Sequence, residues 1–378
     1  MDSKDVKQVR NLSRRGFMMA VTGSALAAAA GCRPSSIVPP TPYVPGSGTS
    51  PAPAGSGTAA ASGGTAPAVG VDANYGQLTY DKVMFTSADK LYVTQWDYNN
   101  TPAVDAAQWT LTVDGLVENP MTLDYAAVKA LPAFEDTRTL ECISNPVGGN
   151  LIGNIVWKGF KLQDVLDKVK LKPTAKFAKF QAADGYSTSV ALEWITQPGV
   201  MMAYEMNGAP LNTVHGFPLR ILMPGLYGQK MPRWITHIEF IDSYFRGYWE
   251  SNGWSDTCII QTESIIETPV DGYSAKAGSQ LYIQGLSFAG KRKITKVEVQ
   301  VENGPWMPVT LVPGKSSLTW TQWYLPWTPP APGSYQIAVR ATDDTGFTQN
   351  QDAGGLFGGT GSGAEGTNAI HRIGIQAT

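Results

Sequence analysis

One stretch constrains this chain more than any other: residues 136–150, which place a single cysteine, Cys142, between a strand-like run and a loop. Pro146, Gly148 and Gly149 are typical of a turn at that loop. A thiol at the mouth of a loop, far from other cysteines, suits a nucleophile or a metal ligand. The alternative, which a lone cysteine usually favours, is a buried structural residue.

Further motifs follow in a fixed order along the chain. They are Trp157-Lys-Gly-Phe-Lys-Leu162, His215-Gly-Phe-Pro-Leu-Arg220, Pro224-Gly225, Gly228-Gln-Lys230 and Arg233-Trp234. Together with the Cys142 segment, this order resembles the molybdenum-cofactor domain of the sulfite oxidase family over roughly residues 80–350. The order of the motifs is more specific than any single motif, and it favours the metal-ligand interpretation of Cys142.

The resemblance implies a molybdenum–molybdopterin cofactor with Cys142 as the protein thiolate on the metal. A soft anionic sulfur suits that role. The cofactor ends in a phosphate, which planar cations bind well. The residues that match the family's cofactor positions are His215, Arg220, Gly228, Lys230 and Arg233, with Asn145 and Asp184 as weaker candidates.

The sequence departs from the family at its substrate pocket. Sulfite oxidases carry a cationic Arg-Asn-His segment early in the domain, whereas this chain has Thr94, Gln95 and Trp96 there. Trp254 aligns with the family's catalytic tyrosine, and Tyr248 lies nearby in sequence. The resemblance therefore implies a retained cofactor site with an altered anion pocket.

Arg138 is a further candidate for the catalytic site. It stands four residues before Cys142, so on a strand the two side chains share a face. Two roles are open: Arg138 binds an anionic substrate, or it simply pairs with a glutamate. Glu141, the immediate neighbour of Cys142, is expected on the opposite face.

We therefore expect an oxidoreductase that transfers oxygen atoms to or from a small molecule. The substrate is expected to be neutral or organic, such as a sulfoxide, rather than free sulfite. The chain contains no Cys-x-x-Cys-His haem motif, so electrons are expected to pass through a separate cytochrome or membrane haem protein. A net charge of −2 gives no sign of nucleic-acid binding. The alternative is a cofactor-free binding or scaffold lipoprotein on the same fold.

Residues 1–31 are predicted to be a twin-arginine signal peptide. Arg14 and Arg15 precede an apolar run over 17–30 that is short and rich in alanine for a membrane span. The protein is therefore expected in the periplasm or on the outer face of the cytoplasmic membrane.

Cys32 is a candidate for lipid attachment, because Ala29-Ala30-Gly31 before it resembles a relaxed lipoprotein cleavage box. Simple cleavage without a lipid is the alternative. Residues 32–75 are rich in Pro, Gly, Ser, Thr and Ala, which predicts a disordered tether.

The fold class predicted for the remainder is α+β. Residues 76–267 are expected to form the sulfite-oxidase-type molybdopterin-binding domain, with a helix over 123–131 capped by Thr122. Residues 268–378 alternate apolar and polar residues between Pro-Gly turns, which favours a β-sandwich. The resemblance identifies this second part as immunoglobulin-like and implies a homodimer.

Two lesser expectations concern single residues. A disulfide between Cys142 and Cys258 would exclude the metal-ligand role of Cys142. His237 and His371 have no evident chemical partner in the sequence, and we expect both to be structural.

Overall fold

The computed structural model describes residues 85–352 and 364–378. The predicted signal peptide, the tether, Cys32 and most of the Gly-rich segment 353–366 lie outside the described residues. None of the helices within the described ranges has the length and apolar character that crossing a membrane requires.

The first part of the described chain contains ten strands and four short helices. The strands are β1 (Thr110–Gly115), β2 (Met121–Asp124), β3 (Ala133–Glu141), β4 (Ile152–Lys161), β5 (Phe177–Ala182), β6 (Ser187–Ala191), β7 (Met201–Met206), β8 (Ala209–Pro210), β9 (Arg220–Leu222) and β10 (Ile235–Ile241). The helices are α1 (Tyr125–Ala130), α2 (Gln163–Val169), α3 (Leu192–Thr196) and α4 (Tyr248–Ser251), with single 3₁₀ turns at Thr213–His215 and Gly228–Lys230.

These strands form two sheets around one apolar core. One sheet has the order β2-β1-β10-β5-β6, and β1 runs parallel to β10. The other has the order β3-β4-β7-β8, with β9 also paired to β7. Leu111 and Val113 alternate with polar residues on β1 and are fully buried, as a strand with one buried face requires.

The first predicted helix is shorter than expected and has a different cap. Asp124, not Thr122, is the N-cap, because its carboxylate accepts a hydrogen bond from Ala127 N at 2.7 Å. Thr122 belongs to β2, where it pairs with Thr112. The predicted cap was wrong because Thr122 pairs with the neighbouring strand, and the helix begins only after that strand ends.

The second helix buries one apolar face. Val165, Leu166 and Val169 are buried on α2, and Leu162 is its N-cap. This i, i+3, i+4, i+7 spacing places all four side chains against the core.

The second part of the described chain is entirely β apart from turns. Its strands are β11 (Glu263–Thr268), β12 (Ser274–Ala275), β13 (Leu281–Phe288), β14 (Ile294–Val301), β15 (Met307–Pro308), β16 (Thr310–Val312), β17 (Thr321–Trp327), β18 (Gly333–Asp343), β19 (Gln351–Asp352) and β20 (Ala369–Ala377). They form one sheet of order β11-β13-β17-β16 and another of order β12-β20-β18-β14-β15, with β19 on β20. The α+β expectation therefore holds in a coarse sense, as a mostly β structure with few helices.

The C-terminal sheets close over the strand that leads to Cys142. Thr139 N donates to Leu318 O at 2.8 Å, and Trp320 N donates to Thr139 Oγ1 at 2.9 Å. An apolar cluster containing Ile143 and Phe288 continues this contact. The Cys142 segment is thus held between the two parts of the chain.

Candidate functional site: a thiol beside buried guanidinium groups

Cys142 lies directly after β3 at the start of a closed loop. Its backbone N donates to Leu151 O at 2.9 Å, and the side-chain oxygen of Asn145 accepts from Leu151 N at 2.8 Å. The thiol is buried and lies 3.0 Å from Ser144 Oγ. Cys142 and Cys258 are both free, so the structure excludes the alternative of a disulfide between them.

The loop fits tightly against the C-terminal sheets. Gly148 has a φ of 70°, and a β-carbon there would overlap the imidazole of His371. His371 Nδ1 accepts from Ile266 N at 3.0 Å, and His237 Nε2 lies 2.6 Å from Asp114 Oδ1. The structure thus places both histidines in contacts within the protein, and burial lowers the pKa of His371.

Arg220 is the most exceptional charged residue in this region. It is 3% exposed and its Nε has no hydrogen-bond partner among the described residues. Its Nη1 donates to His215 O at 3.3 Å, and its guanidinium lies 5.1 Å from the Trp157 ring centroid. Burial, and then the charge of Arg233, lower the pKa of Arg220 to about 9. A buried cation with an unused donor is costly unless an anion binds it.

His215 lies beside Arg220 in the neutral state. Its Nε2 faces Ala88 O at 3.0 Å, so the proton is on Nε2. Asn212 Oδ1 accepts from His215 N at 2.9 Å and fixes the short 3₁₀ turn. Burial, and then the positive charge of Arg220, lower the pKa of His215 to about 4.

Arg233 and Asp184 form the next part of the site. Arg233 donates to Val214 O at 2.6 Å and to Thr94 O at 2.8 Å. Burial lowers the pKa of Arg233, and the carboxylate of Asp184 opposes this effect. Burial raises the pKa of Asp184, whose Oδ2 accepts from Trp96 Nε1 at 3.1 Å.

Lys230 points in another direction. Its ammonium group donates to Thr188 Oγ1 at 3.2 Å and to Ser189 O at 3.0 Å, and it forms a buried ion pair with Glu250. Three protein atoms therefore use its three donors. Direct cofactor binding by Lys230 stays a prediction, and its evident role is to fix the Gly228–Lys230 turn.

Sequence reasoning missed Tyr92, which lies opposite that turn. A β-carbon at Gly228 would stand 3.1 Å from the Tyr92 hydroxyl and 3.4 Å from Glu141 O, so a larger residue would crowd this approach. Burial, and then the charge of Cys142, raise the pKa of Tyr92 well above its usual value, whereas Arg220 lowers it. The only signal in the sequence was its position two residues before the altered Thr94 segment.

Arg138 is occupied within the protein. Its Nε donates to Asp136 Oδ2 at 3.0 Å and its Nη1 donates to Gly199 O at 2.6 Å. It lies in the wall of a small cavity that Pro224 and Phe288 also line. The structure thus places Arg138 in an ion pair, with Asp136 as the carboxylate.

Two carboxyl groups lie behind the thiol segment. Glu141 and Glu263 are both almost completely buried, and Asn145 Nδ2 donates to Glu263 Oε1 at 3.4 Å. Burial, and then the neighbouring Glu263, raise the pKa of Glu141, while burial raises the pKa of Glu263 to about 7. Asn145 therefore contacts a carboxyl group and the loop backbone in this structure.

Trp254 is half-buried and packs on the apolar cluster that contains Ile143, the neighbour of Cys142. Its ring centroid lies 6.3 Å from that of Trp249. The residue aligned with the family's catalytic tyrosine thus packs on that cluster, and Tyr248 packs edge-on against Trp249, with ring centroids 5.0 Å apart.

The arrangement fits a phosphate-bearing cofactor with a thiolate-bound metal. Arg220 offers an unused donor to an anion, and neutral His215 lies next to it. Gly228 lets the Gly228–Lys230 turn lie close to Tyr92 and to the Cys142 segment. A metal bound at Cys142 would keep the sulfur deprotonated.

Comparisons with known proteins agree with this geometry. The family described as "Oxidoreductase molybdopterin binding domain" matches residues 98–249. The uncharacterized oxidoreductase YuiH of Bacillus subtilis (strain 168) is 35% identical over 150 residues, which cover 40% of this chain and 74% of that protein. Sulfite oxidase of Arabidopsis thaliana is 31% identical over 271 residues, covering 58% of this chain and 69% of the relative.

Two further comparisons extend over more of the chain. A nitrate reductase [NADH] of Hordeum vulgare is 29% identical over 320 residues, which cover 67% of this chain and 35% of that protein. The crystal structure of the sulfane dehydrogenase SoxCD from Paracoccus pantotrophus superposes with a TM-score of 0.62 at 21% identity, covering 72% of this chain and 76% of that chain. The likeness to the SoxCD structure shows the fold alone.

Fold and site together define a molybdopterin-binding oxidoreductase. The chain belongs to the sulfite oxidase family of these enzymes. Its cofactor is molybdenum–molybdopterin.

Proposed function

We propose that this enzyme transfers an oxygen atom from or to a small neutral organic substrate, and that free sulfite is a poor substrate. The observation that carries this proposal is the segment Thr94, Gln95 and Trp96, which stands in place of a cationic one. Thr94 O accepts from Arg233, Gln95 Nε2 donates to Thr101 Oγ1 at 2.9 Å, and the Trp96 indole donates to Asp184. This segment therefore offers no positive charge to a dianion.

The neighbouring cations support the same conclusion. Lys230 and Arg138 are committed to Glu250 and Asp136. Arg220 and Arg233 lie at the matching family positions for the cofactor. Loss of one charge-assisted contact, worth about 1.5–3 kcal/mol, weakens the binding of an oxyanion roughly tenfold to a hundredfold.

Each residue has a distinct role in this proposal. Cys142 holds the metal, while Arg220, His215 and Arg233 hold the cofactor's phosphate and pterin. Tyr92 places a phenol near the thiol segment as a hydrogen-bond donor. The bound cofactor supplies two-electron redox chemistry.

For a sulfoxide, the balance of the proposed reaction is simple. The sulfur–oxygen bond breaks, sulfur gains two electrons, and two protons join the oxygen to release a sulfide and one water molecule. The electrons come from a separate cytochrome or membrane haem protein, because the chain has no Cys-x-x-Cys-His motif.

Two steady-state assays on the same preparation test the substrate. One uses sulfite with an artificial electron acceptor, and the other uses methionine sulfoxide with a reduced viologen. We expect turnover of methionine sulfoxide and a high KM for sulfite. A micromolar KM for sulfite would overturn the proposal. Molybdenum analysis, on protein from a host that makes the cofactor, distinguishes the proposed enzyme from a cofactor-free scaffold. Near-zero metal would favour the scaffold.

We also propose that the enzyme is exported by the twin-arginine route and anchored by a lipid on Cys32. Arg14 and Arg15 before the apolar run, and the relaxed box before Cys32, support this location. Cys32→Ala should release soluble protein outside the cytoplasm, and Arg14→Lys with Arg15→Lys should keep it inside. Wild-type protein in the soluble fraction would contradict the anchor.

The domain boundaries 32–75, 76–267 and 268–378 belong to the same proposal. The two C-terminal sheets and their apolar core support an immunoglobulin-like domain. The homodimer rests on the family resemblance. Sedimentation equilibrium of the exported protein tests the dimer, and a monomer at micromolar concentration would contradict it.

A further inference from the structure

Four aromatic side chains form a continuous arc beside the site. Trp96 and Tyr248 have ring centroids 5.3 Å apart, Tyr248 and Trp249 are 5.0 Å apart, and Trp249 and Trp254 are 6.3 Å apart. We call these four residues the aromatic arc. Aromatic pairs at these distances attract one another, so the arc is a cohesive wall.

One end of the arc contacts a residue of the candidate cofactor site. At one end, Trp96 donates to Asp184, whose carboxylate acts on the charge of Arg233. At the other end, Trp254 packs on the cluster that contains Ile143, directly after Cys142 in sequence. The arc therefore extends from the carboxylate that faces the candidate pterin-binding cation to the apolar cluster that includes Ile143.

The arc is both accessible and firmly held. Tyr248 is 42% exposed, and Trp96, Trp249 and Trp254 are half-buried. Tyr248 and Trp249 stand on α4, whose Glu250 is fixed by the buried ion pair with Lys230. A rigid aromatic surface loses little entropy when a ligand stacks on it.

We propose that the aromatic arc is the substrate-binding wall and that it selects neutral sulfoxides carrying an aromatic substituent, whose ring packs on the exposed ring of Tyr248 beside Trp96. This inference rests on the proposed oxygen-atom transfer, which it extends by naming the substrate class. Trp96 has a double effect, because it stands where the family has a cationic segment and it adds an aromatic face. The same substitution thus disfavours a dianion and favours a flat apolar group.

The test compares methyl phenyl sulfoxide with dimethyl sulfoxide, using reduced viologen as the donor and protein of measured molybdenum content. We expect wild type to prefer the phenyl compound in kcat/KM. Tyr248→Ala should lower kcat/KM for the phenyl compound about threefold to tenfold, mainly through KM, because one aromatic contact is lost. The value for dimethyl sulfoxide should fall less, so the preference for the phenyl compound should shrink.

Two controls separate the arc from other roles of Tyr248. Tyr248→Phe keeps the ring and should behave as wild type, whereas a catalytic hydroxyl would make it as defective as Tyr248→Ala. Tyr282→Ala removes a ring that pairs with Tyr324 in the C-terminal sheet, at 6.0 Å, and should leave both substrates unaffected.

Binding is measured separately by quenching of tryptophan fluorescence with methyl phenyl sulfoxide. Suppose that neither sulfoxide is turned over but the phenyl compound binds, and Tyr248→Ala weakens that binding. The aromatic arc is then a binding surface, and the proposed reaction is wrong. If both compounds are turned over and neither kcat/KM differs between wild type and Tyr248→Ala, the proposed reaction is supported and the binding role of the aromatic arc is wrong. An arc that instead docks a protein partner would give this second result.

Discussion

Lys230 and Glu250 form an ion pair in which the side chains are only 1% and 0% exposed. The pair joins the Gly228–Lys230 turn, which approaches Tyr92, to α4, which carries two members of the aromatic arc. Thr188 on β6 completes the cluster by donating its hydroxyl to Glu250 at 2.5 Å. This buried ion pair thus fixes the distance between the Gly228–Lys230 turn and the aromatic arc.

The first prediction concerns this pair. Glu250→Gln leaves the Lys230 ammonium buried without its counter-charge, so we expect the free energy of unfolding to fall by about 3–5 kcal/mol. Denaturant unfolding measures it. Arg246→Gln is the matched control, because Arg246 and Asp256 are 55% and 49% exposed and such a pair contributes less than about 1 kcal/mol. Equal losses in the two variants would contradict the argument.

Arg220 should contribute to cofactor binding but not to the stability of the cofactor-free protein. Arg220→Met removes a buried cation whose Nε is unsatisfied, so cofactor-free protein should be as stable as wild type or more stable. Its bound molybdopterin, measured by pterin fluorescence after oxidation, should fall at least about tenfold, since a charge-assisted contact is lost. Unchanged pterin content together with lower stability would make Arg220 a purely structural residue.

Cys142→Ser should abolish turnover while the protein keeps its fold and most of its pterin. The thiolate acts on the metal, whereas the pterin has other contacts. Cys258→Ser is the control, because Cys258 is also buried and donates from its thiol to Ser255 O at 3.1 Å, a bond that a hydroxyl can keep. Activity retained in Cys142→Ser with any oxo-transfer substrate would refute the assignment of Cys142 as ligand.

His215 gives a pH prediction for cofactor-free protein. Between pH 6.5 and about 4 the unfolded histidine binds a proton and the folded one does not, because burial and Arg220 lower its pKa to about 4. The free energy of unfolding should therefore fall as pH drops through this window, by up to about 3 kcal/mol from this residue. His215→Gln keeps an amide donor for Ala88 and should reduce that slope. A slope identical to wild type would contradict a neutral buried His215.

The fold was predictable where local periodicity decides it. The apolar spacing on α2 and the alternation on β1 follow directly from which positions face the core. The cap of α1 was not predictable, because Thr122 and Asp124 are both good caps and the choice depends on pairing between β1 and β2.

For the site, sequence spacing found the residues but not the directions of their side chains. Nothing near Lys230 in sequence indicates Glu250, twenty residues later, as its partner. Tyr92 was missed for a similar reason, since its closeness to Gly228 arises only from tertiary packing. Sequence spacing left both roles of Arg138 open, and only the structure shows that the carboxylate it pairs with is Asp136, two residues earlier.

Arg138 provides the last prediction. Arg138 is 6% exposed, and its guanidinium already donates to Asp136 and Gly199, so burial and the charge of Asp136 both oppose its use in place of the missing cationic segment. Burial lowers its pKa, and the charge of Asp136 opposes that effect. Arg138→Met should therefore reduce the free energy of unfolding by about 1–3 kcal/mol through loss of the two hydrogen bonds, and leave the KM values for sulfite and for methionine sulfoxide within about twofold of wild type. Asp136→Asn is the companion variant, because it weakens the same pair from the other side and should lower stability without changing either KM. A sulfite KM that rises tenfold or more in Arg138→Met but not in Asp136→Asn would show that Arg138 binds the anion, and this chain would then be a sulfite oxidase with a rebuilt anion pocket.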